Sequence, residues 1–173
     1  DLGHDVHVLG LYDELMPLRQ AIEELRPHVT FNLLEEFSGQ AIYDQNVVSY
    51  LELLRMPYTG NSPRGMVIAR DKALTKKILH YHRIRVPRFA VFPIGRTVRR
   101  PRGLDFPVIV KSQIEEASTG IAQASVVSSD DKLVERVQFV HESIRTPAIV
   151  EEYIDGREVY VSVLGNRRLL TLP

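Results

Sequence analysis

The spacing of apolar residues divides the chain into a first part, in which strands and helices alternate, and a second part that is richer in strands. Apolar residues recur every three or four positions over 15–25 and 47–54, which predicts two amphipathic helices. Short apolar runs at 6–11 and 29–34, and the segment 56–60, predict strands. This alternation is typical of a doubly wound parallel sheet, whose ligands bind beyond the carboxyl ends of the strands.

Helix-start signals mark the beginning of the second part. Ser62-Pro63 places an N-cap serine before a proline at the first helical position, and Asp71 precedes the helix that follows. Asp155-Gly156 predicts a tight turn between strands. We therefore expect an antiparallel α+β region, with domains at 1–62 and 63–173. The predicted elements are helices at 63–70, 71–83 and 128–143, the last with Leu133, Val137 and Val140 on its inner face, and strands at 88–94, 106–111, 121–127, 148–153, 158–164 and 169–172.

Composition narrows the classes of function. The chain has 22 Lys and Arg residues against 22 Asp and Glu residues, so its charge favours neither a nucleic-acid nor a membrane partner. The absence of cysteine excludes disulfides, thiolate metal sites and a cysteine nucleophile, and fits a reducing cytoplasm. No apolar run approaches the ~20 residues of a membrane span. Six scattered histidines form no pair at helical spacing beside a carboxylate.

Two lysines stand where a positive charge needs an explanation. Lys111 ends an apolar strand, so its ammonium group must meet an anion or reach water. Lys72 lies at a helix start, where the helix dipole disfavours a cation. Both residues are also compatible with plain surface charges. The loop after Lys111 contains Ser118 and Gly120, which would suit a phosphate, although a plain hairpin turn explains the loop better when it is taken alone.

Acidic residues follow in the strand at 148–153. The segment Glu151-Glu152-Tyr153-Ile154 could present backbone groups to an adenine edge, and Glu158 could accept hydrogen bonds from a ribose. A solvated hairpin, or pairing of these carboxylates with Arg157, is the alternative. Neither GxxxxGK[ST] nor GxGxxG nor GxSxG occurs in the sequence.

These pieces together resemble a known family. The motifs in order are PYTG (57–60), ARDKALTK (69–76), VPRF (86–89), FPVIVK (106–111), ASTGI (117–121) and IVEEYIDGREVYVSVLGN (149–166). Their order and spacing are similar to those of the ATP-grasp superfamily, and within it of the D-alanine–D-alanine ligase group. The resemblance implies a partial N-terminal α/β domain, followed by an α+β ATP-grasp central subdomain with an antiparallel sheet that is truncated at its C-terminus.

The resemblance also implies the ligands and their residues. Lys72 and Lys111 match the two lysines that bind ATP phosphates, and Ser118 matches a polar residue of the loop that covers them. Glu151 and the backbone of Glu152, Tyr153 and Ile154 match the adenine-binding hinge, and Glu158 matches the ribose-binding glutamate. The implied protein is a cytoplasmic enzyme of cell-wall peptidoglycan synthesis that binds ATP, Mg²⁺ and a small amino acid. A homodimer is left open as its assembly.

The implied reaction is ATP-dependent ligation of a carboxylate to an amine through an acyl phosphate. The catalytic residues and the metal ligands are expected beyond Pro173, so the chain by itself is expected to be inactive. The sequence departs from the family pattern KPxxEGSSxG at Ser112, Glu116 and Ala117. These departures leave two alternatives: a ligase for a different amino acid, or a degenerate, non-catalytic nucleotide-binding module.

Overall fold

A computed structural model describes residues 2–115 and 122–172. Two helices of the first part form as the apolar spacing predicts: α1 spans Met16–Leu25 and α2 spans Asp44–Leu53. Their apolar faces meet in a small core, which the structure builds around Leu18, Val47, Leu51 and Met56. A short 3₁₀ turn at Ala41–Tyr43 precedes α2. No helix among the described residues is long and apolar enough to cross a membrane.

The predicted strands at 6–11 and 29–34 are wrong as continuous strands. Within the described residues, parallel pairing is limited to one bridge, between Thr30 and Tyr58. A strand needs a neighbour for its backbone groups, and these segments have none along most of their length. Their apolar side chains are correspondingly exposed, with Val8 at 95% and Phe31 at 72%. The doubly wound sheet therefore stays a prediction.

Helices α3, Pro63–Arg70, and α4, Lys72–Tyr81, begin as predicted. The Ser62 hydroxyl accepts a hydrogen bond from the Gly65 N–H at 3.3 Å. The Asp71 carboxylate accepts from the N–H groups of Ala73 and Leu74 at 2.9 and 3.0 Å. Each cap satisfies backbone donors that the first turn of a helix leaves unpaired.

A four-stranded antiparallel sheet forms the centre of the second part. Its strands are β1 Phe89–Phe92, β2 Val108–Ser112, β3 Val126–Val127 and β4 Ala148–Glu152. Their spatial order is β1-β4-β2-β3, so that β4 has a partner on both edges. Helix α5, Asp130–Phe139, continues as a π-helical turn at Val140–Ile144, and its predicted inner residues Leu133, Val137 and Val140 are all buried. They pack with Val108 and Val150 of the sheet.

Two predicted strands are shorter than the apolar pattern suggests. The segment 121–127 contributes only β3, because Gln123–Ser125 forms a 3₁₀ turn. The segment 158–164 contributes only β5, Ser162–Leu164, and pairs with β6, Leu170–Leu172, rather than with β4. The reason is that β1 and β2 already occupy both edges of β4, so a following strand has no edge of β4 to join.

A buried ion pair joins the two parts of the chain. The Arg70 guanidinium at the end of α3 contacts the Asp44 carboxylate at the start of α2. Asp44 is 4% exposed and Arg70 is 8% exposed. Removing one partner would leave the other as an unpaired buried charge, which is costly. This pair therefore fixes α2 against α3 across the predicted boundary at residue 62.

We expect Arg70→Met and Asp44→Leu each to lower the free energy of unfolding of the complete protein by about 3–5 kcal/mol. The double variant should lose less than the sum, because it leaves no charge unpaired. Urea unfolding measures all three. Losses below about 0.5 kcal/mol for the single variants would show that the pair does not hold the helices together.

Candidate functional site

The buried carboxylate of Glu151 lies at the centre of the candidate site. Glu151 is the second-last residue of β4 and is opposite Phe89 of β1 and Ile109 of β2. It is 4% exposed, although a carboxylate is rarely buried without compensating partners. The positive charges around it therefore decide what this part of the sheet can bind.

Lys111 provides the first of these charges from the neighbouring strand. Its Nζ donates to Glu151 Oε2 at 3.1 Å. In the antiparallel register Ile109 is opposite Glu151, so Lys111 is the diagonal neighbour two residues further along β2. Long side chains reach across such a diagonal on one face of a sheet. The anion that the sequence requires for Lys111 is thus a side chain of the same sheet.

Helix α4 brings two more lysines to the same place. Lys72 and Lys76 are four residues apart and therefore lie on one face of the helix. The Lys76 Nζ is 3.4 Å from Glu151 Oε1, and the Lys72 Nζ donates to the Glu115 carbonyl oxygen. Lys72 is thus directed to the segment after β2, and Lys76 is directed to the end of β4.

The segment after β2 is held in place by buried hydrogen bonds. The Ser112 hydroxyl is 2.8 Å from the Thr146 hydroxyl and accepts from the N–H of Glu115 at 3.0 Å. The Gln113 side-chain amide donates to Asp71 at 2.9 Å, and the Gln113 backbone carbonyl accepts from the Lys72 N–H at 3.1 Å. The N-terminus of α4 and residues 112–115 therefore form one hydrogen-bonded unit. The predicted site residue Ser118, like Glu116, Ala117 and Gly120, lies outside the described residues.

Asp71 serves both the helix and this segment. Burial raises the pKa of Asp71, but hydrogen bonds from the Leu74 N–H, Gln113 and the Ala73 N–H, with the charge of Lys77, outweigh it and hold the pKa below its ordinary value. The carboxylate is therefore ionised when these bonds form.

The hinge residues at the end of β4 have a defined pattern of backbone bonds. The Glu152 N–H donates to the Arg88 carbonyl at 2.9 Å, and the Tyr153 N–H donates to the Pro107 carbonyl at 3.1 Å. Hydrogen bonds from the Arg88 side chain hold the pKa of Glu152 below its ordinary value. Ile154 is 61% exposed. No described residue is a hydrogen-bond partner of the Glu152 C=O or the Ile154 N–H.

Glu158 is not brought to the lysines. It lies in an exposed segment without strand structure, between β4 and β5. Among the described residues it has neither a hydrogen bond nor an ion pair, so the alternative of pairing with Arg157 is not seen either. Its predicted contact with a ribose stays a prediction.

The sequence did not single out Lys76. Its signal was present in the motif ARDKALTK, because a lysine four residues after Lys72 must share its helix face. The structure pairs Lys111 and Lys76 with Glu151 and directs Lys72 to the Glu115 carbonyl, and the role of these residues in binding a nucleotide stays a prediction.

Comparison with known proteins identifies the family. The family model described as "D-ala D-ala ligase C-terminus" matches residues 84–173, more than half of the chain. The chain belongs to the D-alanine–D-alanine ligase family. A D-alanine–D-alanine ligase of Syntrophotalea carbinolica is 34% identical over 154 residues, which cover 88% of this chain and 47% of that protein. The uncharacterized protein y4sG of Sinorhizobium fredii is 34% identical over 145 residues, which cover 84% of this chain and 41% of that protein.

The solved structures agree with this assignment. D-alanine–D-alanine ligase of Bacillus anthracis, complexed with ATP, superimposes with a TM-score of 0.66 at 26% identity, covering 83% of this chain and 44% of that one. The chain therefore spans about half the length of the relatives that it matches. The mixed helical and antiparallel fold is that of ATP-grasp ligases.

The arrangement suits a polyphosphate nucleotide. Two ammonium groups, those of Lys111 and Lys76, contact the buried Glu151 carboxylate, and a third, that of Lys72, bonds to the Glu115 carbonyl oxygen. These cations can attract an anionic ligand to this part of the sheet. Lysine binds phosphate as a point charge, and an exposed backbone donor and acceptor beside a carboxylate can pair with a base edge. The described residues contain no group of three His, Asp or Glu residues that could hold a metal ion.

Asp71→Ala should lower the free energy of unfolding of the complete protein by about 1 kcal/mol at pH 7, because the α4 cap and the bond to Gln113 are lost. A folded-state pKa below the ordinary value contributes stability that is present above the ordinary pKa and is lost as pH falls through the folded-state pKa. The difference between wild type and variant should therefore shrink in acid.

Urea unfolding at pH 7 and at about pH 3 measures this difference, since an ordinary aspartate titrates near that pH. Asp71→Asn is the matched control, because asparagine keeps a capping oxygen but does not titrate. An equal loss for Asp71→Ala at both pH values would contradict the role of the ionised carboxylate.

Proposed function

We propose that the complete protein is an ATP-dependent carboxylate–amine ligase that resembles D-alanine–D-alanine ligase. The observation that carries this proposal is the buried Lys111–Glu151 pair in the central sheet, with Lys72 bonded to the segment that follows Lys111, in a chain of this family. The ATP complex of the Bacillus anthracis ligase supports the nucleotide, since that protein shares this fold.

Each residue has a role in nucleotide binding. Lys72 and Lys111 pair with the phosphates, while the Glu151 carboxylate accepts a hydrogen bond from the exocyclic amine of adenine. The Glu152 C=O and the Ile154 N–H provide the adjacent acceptor and donor for the base. Support for this assignment comes from the backbone pattern, because Arg88 and Pro107 occupy the neighbouring N–H groups and leave these two.

The reaction proceeds in two steps. A carboxylate oxygen of the first amino acid attacks the γ-phosphorus of ATP, which forms an acyl phosphate and releases ADP. The amine of the second amino acid then attacks the acyl carbon, forms the peptide bond and expels inorganic phosphate. Neutralising phosphate charge is the main contribution that the lysines can make.

We also propose Mg²⁺ as a cofactor, although its ligands are not identified. The described residues offer no cluster of His, Asp and Glu side chains that could hold it. We also propose a cytoplasmic location and a role in peptidoglycan synthesis, on the strength of the family alone.

The amino-acid substrates are the open choice within the proposal. D-alanine is the first candidate, because the relatives include D-alanine–D-alanine ligases. A different amino acid is the second, because the chain departs from the family pattern at Ser112, Glu116 and Ala117. Ser112 is buried, and its hydroxyl bonds to Thr146 and to the N–H groups of Ile114 and Glu115. The proline of the family pattern has no hydroxyl and could not make these bonds.

The complete protein, given Mg²⁺ and ATP, should release ADP when D-alanine or another accepted amino acid is added. A coupled ADP assay across D- and L-amino acids identifies the substrate. Measurable ATP binding with no amino-acid-dependent ADP release would overturn ligation and favour a non-catalytic nucleotide-binding module.

Lys111→Ala should weaken ATP binding by about 10- to 100-fold, as expected for loss of a charged hydrogen bond to phosphate. The sheet should remain folded, because Lys76 still pairs with Glu151. Isothermal titration calorimetry measures the affinity, with Lys132→Ala on the exposed side of α5 as the control. Unchanged ATP affinity would remove Lys111 from the site.

A further inference from the structure

The Glu151 carboxylate has two lysine partners on two different oxygens. Lys111 contacts Oε2 from the neighbouring strand, and Lys76 contacts Oε1 from helix α4. The carboxylate side chain is 5% exposed, and the Lys76 side chain is 15% exposed. One lysine already balances the single negative charge of Glu151, so the second lysine calls for an explanation.

The two lysines differ in what else they can reach. Lys111 is at the end of β2, directly before the segment 112–115 that Lys72 also contacts. An anionic ligand at that segment attracts Lys111 away from Glu151. Lys76 is one helical turn further from that segment than Lys72, and its ammonium group is directed to the end of β4.

Charge explains why this difference matters. When Lys111 pairs with phosphate, a Glu151 that had Lys111 as its sole partner would become a buried anion without a counter-ion, and this is unfavourable. It would then either keep Lys111 or take up a proton. If it keeps Lys111, the phosphate loses that cation; if it takes up a proton, Glu151 no longer presents an ionised oxygen to an amine donor.

We propose that Lys76 is the positioning residue that keeps Glu151 ionised and oriented while Lys111 binds phosphate. Lys76 remains on Oε1, and Oε2, which Lys111 contacts in this structure, becomes the acceptor for the exocyclic amine of adenine. Lys76 thereby contributes to the preference for adenine without touching the nucleotide. This inference rests on the proposed ATP site and adds a residue to it.

A purely structural role is the competing explanation. Lys76 could simply attach α4 to the sheet, in which case its loss would lower stability and weaken every ligand equally. The positioning role predicts a different result, because Lys76 should affect ATP binding only when residue 151 carries a negative charge.

The test compares nucleotide affinities of the complete protein by calorimetry. Lys76→Met should raise the Kd for ATP about tenfold or more, which is the usual effect of losing a charged hydrogen bond. Lys76→Arg keeps the charge and should change it less than about threefold. Lys77→Met is the matched control, since Lys77 is the exposed neighbour on α4 and should leave the Kd unchanged.

Two measurements distinguish the positioning role of Lys76 from a purely structural role. In a Glu151→Gln background, Lys76→Met should weaken ATP binding no further, because no charge remains to be held. The ratio of the Kd for GTP to the Kd for ATP should fall in Lys76→Met and stay at the wild-type value in Lys77→Met. Thermal melts of each variant confirm that it is folded.

The outcomes are distinct. Additive losses of Lys76→Met and Glu151→Gln, or an unchanged base preference, would overturn the positioning role while the ATP site stands. If Lys76→Met does not fold, a loss of ATP affinity in Lys76→Arg as large as in Glu151→Gln would contradict it. Wild-type protein that binds no ATP would overturn the proposed function and this inference with it.

Discussion

The structure depends on one buried carboxylate and the cations that make its burial tolerable. Glu151 is buried on the central strand β4, and its charge is stable there because Lys111 and Lys76 each contact one of its oxygens. These contacts connect a strand, its neighbour and helix α4. The residues that create the candidate binding surface therefore also hold its parts in register.

A second set of bonds extends this arrangement to the segment after β2. Asp71, Gln113 and Lys72 connect the start of α4 to residues 112–115, and Ser112 connects the same segment to Thr146. Helix α4 consequently reaches both ends of the proposed nucleotide site. In the proposed binding mode, Lys72 pairs with the phosphates and Lys76 supports the carboxylate that binds the base.

Local signals predicted the elements that depend on local chemistry. The caps at Ser62 and Asp71, the helices α1 to α5 and the buried stripe of Leu133, Val137 and Val140 follow from spacing and capping alone. The strand at 158–164 was predicted too long, because its pattern does not reveal that both edges of β4 are occupied. The strand at 6–11 failed for a related reason, since pairing depends on a partner and not on the apolar run itself.

The site was predictable in part for the same reason. Lys111 and Glu151 are separated by forty residues, and only the family resemblance brought them together before the register of β2 and β4 was known. Predicting the contact of Lys76 with Glu151 required both the face of α4 and the position of the sheet beside it.

The most direct measurement is a crystal structure of the complete protein with a non-hydrolysable ATP analogue. We expect the adenine amine at Glu151 and phosphates at Lys72 and Lys111, with Lys76 still on Oε1; a nucleotide bound away from these residues would contradict this binding mode.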